Sequence, residues 1–263
     1  MSIPETSPLV IAHRGASAVA PENTLAAFAR ALDEGADGIE FDVRLARDGV
    51  PVVIHDANLR RTGRRQAQVA NLTSDRLTQI DVGSWFNRAH PRYARLQYTR
   101  QTVPTLEDVL RLLNHQSNNN LIAYVEMKAG RNRKVRASLA RAVVEVINQH
   151  KLHHRCVVIG FNLTGVARVK EVDPSIRTGA LFGPRQRAVK TAKKIIEAAL
   201  ACGADEILLH HLIATPGLLA HALEAKLVPV VWTVDAPKWI GRAARLRIRA
   251  LVTNNPARMS TGA

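Results

Sequence analysis

The chain has 263 residues, 46% of them hydrophobic, and carries 37 Lys and Arg against 22 Asp and Glu, a formal charge of +15. That length admits one large α/β barrel, and the apolar content excludes general disorder. Aromatics at 4% leave little for base-stacking platforms, and two cysteines without CxxC spacing exclude a disulfide framework or a zinc cluster.

Apolar strand-like runs alternate with helical patterns along the chain. The first strand is expected over 9–12. Leu25, Phe28, Ala29 and Leu32 then fall at i, i+3, i+4 and i+7, which predicts a helix over about 23–34 with Asn23 as N-cap and Gly35 as stop. A second strand covers 37–45. Arg47-Asp48-Gly49 leaves no room for a crossover helix, so the next apolar run reads as the return strand of a hairpin. Pairing outward from that turn sets His55 roughly opposite Glu40 and near Asp42.

Residues 57–103 differ in kind. They hold nine arginines (Arg60, Arg61, Arg64, Arg65, Arg76, Arg88, Arg92, Arg95 and Arg100) against Asp75 and Asp81, with weak periodicity and clustered aromatics. So long a connection reads as an Arg-rich insertion, either a solvated face or an attractor of anionic substrates. The alternation resumes with a helix over 106–115, capped by Thr105. Strands are expected over 121–127, 156–161, 178–182, 206–209, 228–233 and 250–253. Helices are expected over 133–150, 163–172, 187–201, 216–225 and 237–245. With the hairpin return set aside, eight alternating units predict a (β/α)₈ TIM barrel in a single domain spanning 1–263, with a hairpin excursion and a small insertion after the second barrel strand. An open doubly wound sheet is disfavoured, because the segment after the first strand, His13-Arg14-Gly15-Ala16-Ser17, lacks a G-x-G-x-x-G fingerprint.

Barrel enzymes carry their chemistry at the C-terminal strand ends. Here those ends read His13-Arg14, then Glu40 and Asp42, then Glu126-Met127-Lys128, and Trp232-Thr233-Val234-Asp235 on the seventh. Glu40 and Asp42 are two apart on a strand and so share a face. Two inward carboxylates need compensation, from a divalent cation or from ion pairs with Arg14, Arg44 or Lys128. Glu126 would complete an oxygen set suited to Mg²⁺ or Ca²⁺ rather than zinc. His13 and His55 are the natural proton-transfer pair. Arg14 offers a fork for phosphate oxygens, Lys128 a point charge, and Trp232 a wall for the substrate's apolar part. His153 and His154 read as surface residues, while His210 and His211, ending the sixth strand, could reach the pocket. Cys156 and Cys202 read as buried thiols. No positive n-region or transmembrane segment is visible, which gives a cytoplasmic expectation.

At these residues the chain resembles the glycerophosphodiester phosphodiesterase family. The matching pieces are His-Arg-Gly at 13–15, Pro-Glu-Asn-Thr at 21–24, Gly-Ile-Glu-Phe-Asp-Val at 38–43 and Asp-Gly-Val-Pro-Val-Val-Ile-His-Asp at 48–56. Val-Pro-Thr-Leu-Glu at 103–107, Glu-Met-Lys at 126–128 and Val-Trp-Thr-Val-Asp at 231–235 follow. The resemblance implies a barrel with an insertion, and one divalent cation held by Glu40, Asp42 and Glu126. It implies His13 and His55 as general acid and base, Arg14 and Lys128 as phosphate contacts, and Glu22 in support. One departure stands out. The family often shows Thr-Asp-x-Pro after the last strand, where this chain has Thr253-Asn254-Asn255-Pro256.

The expected reaction is metal-assisted hydrolysis of a small-molecule glycerophosphodiester to glycerol 3-phosphate and an alcohol. The nucleophile is water or the neighbouring glycerol hydroxyl. A second reading keeps the site and acts on acylated lipids, as a lysophospholipase D. A third is a non-enzymatic basic protein that binds anionic surfaces or nucleic acid; sparse aromatics and the intact strand-end set oppose it, so no nucleic-acid partner is expected.

Overall fold

The computed structural model describes residues 7–116, 118, 120–128, 130, 132–185 and 191–259. Among them, one sheet contains β1 (Leu9–His13), β2 (Gly38–Leu45), β3 (Pro51–Val53), β4 (Ile122–Met127), β5 (Cys156–Gly160), β6 (Arg177–Phe182), β7 (Glu206–His210), β8 (Val228–Trp232) and β9 (Ala250–Thr253). Eight of these strands are parallel, and β1 pairs with both β9 and β2, which closes the ring. The helices are α1 (Leu25–Asp33), α2 (Ser74–Leu77), α3 (Ser84–Ala89), α4 (Leu106–Asn114), α5 (Arg133–Gln149), α6 (Leu163–Val172), α7 (Ala192–Ala201), α8 (Pro216–Glu224) and α9 (Lys238–Arg245). This is a (β/α)₈ TIM barrel, as the alternation predicts. Of the helix expected over 187–201, residues 187–190 lie outside the described residues.

Strand alternation decides what faces the axis. Ile39, Phe41 and Val43 of β2 are buried with Phe28 of α1, Leu110 of α4 and Val143 of α5, and the Phe28 and Phe41 rings lie 5.6 Å apart. With the odd positions turned outward under helices, Glu40 and Asp42 must turn inward. The barrel interior itself is a separate apolar cluster that includes Ile11, Tyr124, Val157, Leu181, Leu208, Val230 and Val252. It forms a packed plug beneath the mouth.

The hairpin is present, with a register shifted from expectation. The turn closes through Gly49 N–H to Ala46 O, with Gly49 at φ +85°, a conformation that costs glycine little. Val43 faces Val53, and the last ladder bond runs from Ile54 N–H to Asp42 O. Ile54 therefore pairs with Asp42, and the ladder ends before His55, which the same register would set opposite Phe41 rather than Glu40. The first helix also starts later than expected. Thr24, not Asn23, is its N-cap: Thr24 Oγ1 accepts from Ala27 N–H at 3.2 Å. Asn23 adopts φ +56° and turns its amide elsewhere. At α4 the expected cap holds, as a reciprocal Thr105–Asp108 capping box.

The insertion is not an unstructured excursion. Leu59, Val69, Leu77, Ile80 and Val82 are buried with Val52 and Val103 in a small core of their own. Phe86 and Tyr98 pack on Ala20 and Ala27, beside the start of α1. Cys156 and Cys202 are buried free thiols, and His153 and His154 are exposed, all as expected.

The interior also holds one polar pair away from the mouth. Tyr124 Oη donates to Glu206 Oε2 at 2.8 Å, and both side chains are buried. Removing a hydrogen-bond partner from a buried carboxyl costs about 1–3 kcal/mol. Tyr124→Phe should therefore lower unfolding stability by that amount, read as a shift in urea midpoint at unchanged slope. A wild-type midpoint would show that Glu206 finds another partner.

Candidate active site

Register brings the site together. His13 of β1 is aligned with Glu40 of β2, and Asp42 of β2 with Glu126 of β4. Ligand atoms of Glu40, Asp42 and Glu126 all lie within 4.8 Å of one another, and the three residues are buried. Three carboxylates this close repel unless cations intervene. Two side chains supply part of the compensation. Arg14 Nε is 3.1 Å from Asp42 Oδ2, while Lys128 Nζ is 3.1 Å from Asp42 Oδ1 and 2.5 Å from Glu126 Oε1. Arg44 does not join them. It donates instead to the backbone oxygens of His55 and Lys128, at 2.8 and 3.1 Å.

The compensation is incomplete. Glu40 Oε1 is buried without a hydrogen-bond partner, and Asp42 Oδ1 has the Lys128 ion pair but no well-directed hydrogen bond. Burial, then Asp42 and Glu126, push the Glu40 carboxyl well above the usual range. Burial also raises Glu126, against the pull of Lys128. At Asp42 burial is outweighed by Lys128 and Arg14, which hold the carboxylate charged. An orphaned carboxylate oxygen in an all-oxygen donor set fits a divalent cation of the Mg²⁺ or Ca²⁺ type.

Local backbone places the guanidinium. Arg14 sits at φ +57° and Gly15 at φ +81°, and a Cβ on Gly15 would lie 2.6 Å from the Ala27 carbonyl carbon. The chain can thus turn sharply off β1 only with glycine there. The Arg14 backbone N–H donates to Glu40 O at 2.7 Å, and its side chain is held by Glu22 Oε1 at 3.0 Å.

Both imidazoles are fixed in tautomer. His13 Nδ1 is 2.7 Å from Asn254 Oδ1. The amide cannot be the other way round, because Asn254 Nδ2 donates to Asp235 Oδ2 at 2.9 Å. An amide oxygen must receive a proton, so Nδ1 of His13 carries it and Nε2 is left as an acceptor, 3.9 Å from Glu40 Oε2. Burial, then Arg14, push this imidazole down to about 4. His55 Nδ1 instead faces a carboxylate, Asp56 Oδ1, at 2.8 Å. Burial also lowers His55, with Asp42 and Asp56 acting against it.

Several residues of the site have roles that the sequence alone does not show. Arg61, from the insertion, ties the two halves: its Nε binds Asp56 Oδ2 at 2.8 Å and its terminal nitrogens bind Glu22 at 2.6 and 2.8 Å. An unbroken chain therefore runs from His55 through Asp56, Arg61 and Glu22 to Arg14. Asn23, expected to cap a helix, donates to Asp42 Oδ2 at 2.7 Å. Asp235 orients Asn254. Their sequence signals were weak. Arg61 is one arginine among nine, and Asn23 is hidden by its ordinary value as a cap.

The mouth opens beside His13 as a cleft of about 290 Å³ lined by Arg14, Ser17, Ala18, Glu22, Asp235 and Asn254. Trp232, at the end of β8, is half-buried, with the Phe161 ring 5.5 Å and the His210 ring 4.9 Å from its own, both edge-on. His210 thus reaches the rim through an aromatic wall, and His211 stacks on it at 4.3 Å.

A family model described as the glycerophosphoryl diester phosphodiesterase family matches residues 13–258. A relative named glycerophosphodiester phosphodiesterase, from Bacillus subtilis (strain 168), is 32% identical over 225 residues, which are 81% of this chain and 75% of that protein. The solved structure of a Silicibacter pomeroyi DSS-3 protein superposes with a TM-score of 0.86 at 29% identity, covering 98% of this chain and 93% of that one. An Oleispira antarctica phosphodiesterase, solved in complex with the product sn-glycerol-3-phosphate, has a TM-score of 0.81 at 24% identity, covering 96% and 95%. The second structural likeness bears on the fold alone.

Proposed function

The chain belongs to the glycerophosphoryl diester phosphodiesterase family, and we propose that it hydrolyses small glycerophosphodiesters to sn-glycerol 3-phosphate and an alcohol at the barrel mouth. The observation that carries the mechanism is the buried Glu40–Asp42–Glu126 cluster, with an orphaned Glu40 oxygen and a fixed imidazole beside it.

Glu40, Asp42 and Glu126 would hold one divalent cation. When bound, it supplies a Lewis-acid centre for a phosphoryl oxygen. Arg14 and Lys128 flank the same point and bind the phosphate, with the Arg14 plane fixed by Glu22 and Asp42. Neutral His13, with its Nε2 lone pair toward the cluster, accepts the nucleophile's proton. His55 is paired with a carboxylate that stabilises its protonated form. It donates to the departing alkoxide. The Trp232–Phe161 wall takes the apolar part of the substrate.

Beside His13 the cleft has Ala18 as its one apolar residue, and the Trp232–Phe161 wall adds only two rings, which supports a small, mostly polar substrate over an acylated one. No helix among the described residues is long and apolar enough to cross a membrane. Glycerophosphocholine should therefore be cleaved far faster than lysophosphatidylcholine of the same head group, and a chelator should stop both reactions. Faster release of choline from the lysolipid would transfer the site to the lysophospholipase D reading.

A further inference from the structure

The insertion carries an exposed face that the reaction does not use. Residues 88–97 form ten consecutive exposed positions, including Arg88, Arg92, Tyr93, Arg95 and Leu96. Leu96 is 91% exposed and Tyr93 45%. From Val82 to Leu106 the sequence contains no Asp or Glu. Arg92 and Arg95 have no ion-pair partner among the described residues, and Arg88 meets only the outlying charge of Asp81. Asp81 is itself committed to the Gly83 and Ser84 amides, at 2.9 Å each. A leucine that is 91% exposed, in a ten-residue exposed run whose three arginines lack an ion-pair partner among the described residues, is not a solvated face in the ordinary sense.

We propose that this face docks the enzyme on an anionic lipid bilayer, with Leu96 and Tyr93 entering the headgroup layer and Arg88, Arg92 and Arg95 meeting lipid phosphates. Charge complementarity selects the occupant. A second copy of the chain is disfavoured, because two such faces on molecules of formal charge +15 repel each other. A nucleic acid finds one exposed aromatic ring here, Tyr93, and no stacking platform. A bilayer satisfies both parts of the face at once: basic groups take the anionic surface and the apolar tip the acyl boundary. The segment that carries this face also reaches a residue supporting the site. Trp85 of the same segment lies 5.8 Å from the guanidinium of Arg61, which binds Glu22 beside Arg14.

The test reads binding, so it stands apart from any result on hydrolysis. The full chain is sedimented with vesicles of phosphatidylcholine, with and without phosphatidylglycerol, at physiological salt. Wild type should bind only the anionic vesicles. R88E/R92E/R95E should lose at least about tenfold in partition, because each basic residue near such a surface contributes separately. K134E/R141E/K194E makes the same change in net charge at exposed positions on α5 and α7, and should stay within about twofold of wild type. L96W gives a second readout that needs no charge change. Its emission should shift to the blue on anionic vesicles, and circular dichroism checks the fold of each variant. Equal losses in the two triple variants would overturn the proposal, as would a failure of wild type to bind or an unshifted L96W. Displacement by duplex DNA with no L96W shift would mark a nucleic-acid surface and overturn it as well.

Discussion

Glu40→Gln should lower turnover by roughly 10³-fold while leaving the metal-free protein at least as stable as wild type. The two effects come from one feature, the crowding of three carboxylates. A bound cation contributes several kcal/mol to the transition state, and about 1.4 kcal/mol is a factor of ten, so loss of one ligand carries a large kinetic cost. Without metal, the same carboxylate is a liability. Burial, then Asp42 and Glu126, raise its pKa well above the usual range. A carboxyl raised in this way binds its proton more tightly in the folded than the unfolded state. Its contribution to stability is therefore fully present below the ordinary carboxylate pKa and is lost as pH rises through the folded value. Asp42 has the opposite sign, because Lys128 and Arg14 overcome its burial and keep it charged. Gln at position 40 removes the like charge and can still accept from the Arg14 N–H that now meets Glu40 Oε2 at 3.2 Å. The measurements are apo Tm against pH, and the rise in Tm on adding Mg²⁺ or Ca²⁺. Wild type should lose apo stability toward neutral pH and regain it with metal. The variant should show a flatter profile and no metal-dependent rise. A variant that kept both its metal response and its turnover would remove Glu40 from the ligand set.

How far the sequence reaches is set by which interactions are periodic. Glu40, Asp42 and Glu126 were legible because strand alternation and barrel topology together decide where they point. Ile39, Phe41 and Val43 take the outer face, where Phe28, Leu110 and Val143 of the surrounding helices bury them. The start of α4 is legible too, because its Thr105–Asp108 box is local in sequence. Asn23 is ambiguous in sequence, because two uses of one residue type compete. An asparagine before a helix caps it by default, but here Thr24 caps and Asn23 serves Asp42, 19 positions away. The hairpin register slipped for a related reason: the turn alone does not fix which residue pairs first. Arg61 was illegible, and Asp235 legible only as part of a strand end and not as the partner of Asn254, because such partners are set by the tertiary path of a loop, which no period records. The Asn254 departure reads differently in three dimensions. The amide keeps an acceptor on His13 Nδ1, and the negative charge stands one bond further back, on Asp235.

That arrangement makes the two histidines distinguishable, and an activated substrate separates them. Alanine at either position should reduce hydrolysis of glycerophosphocholine by about 10²–10⁴-fold, the usual contribution of a positioned acid or base. Choline leaves as a poor alkoxide and needs a proton, so loss of the donor is costly. 4-Nitrophenolate leaves without one. On a 4-nitrophenyl phosphodiester, His55→Ala should recover most of its deficit, whereas His13→Ala should not, because the nucleophile must still surrender its proton. The asymmetry follows from the partners. Asp56 accepts from His55 and favours an imidazolium there, while Asn254 offers His13 a neutral oxygen and leaves its Nε2 unprotonated. The pH profiles should agree. Asp56→Asn removes the carboxylate that raises His55, so the alkaline limb of kcat/KM should move to lower pH while the acid limb holds. Rescue of His13→Ala by the activated substrate, with His55→Ala left dead, would exchange the two roles. Rescue of neither would place both rings in binding rather than proton transfer.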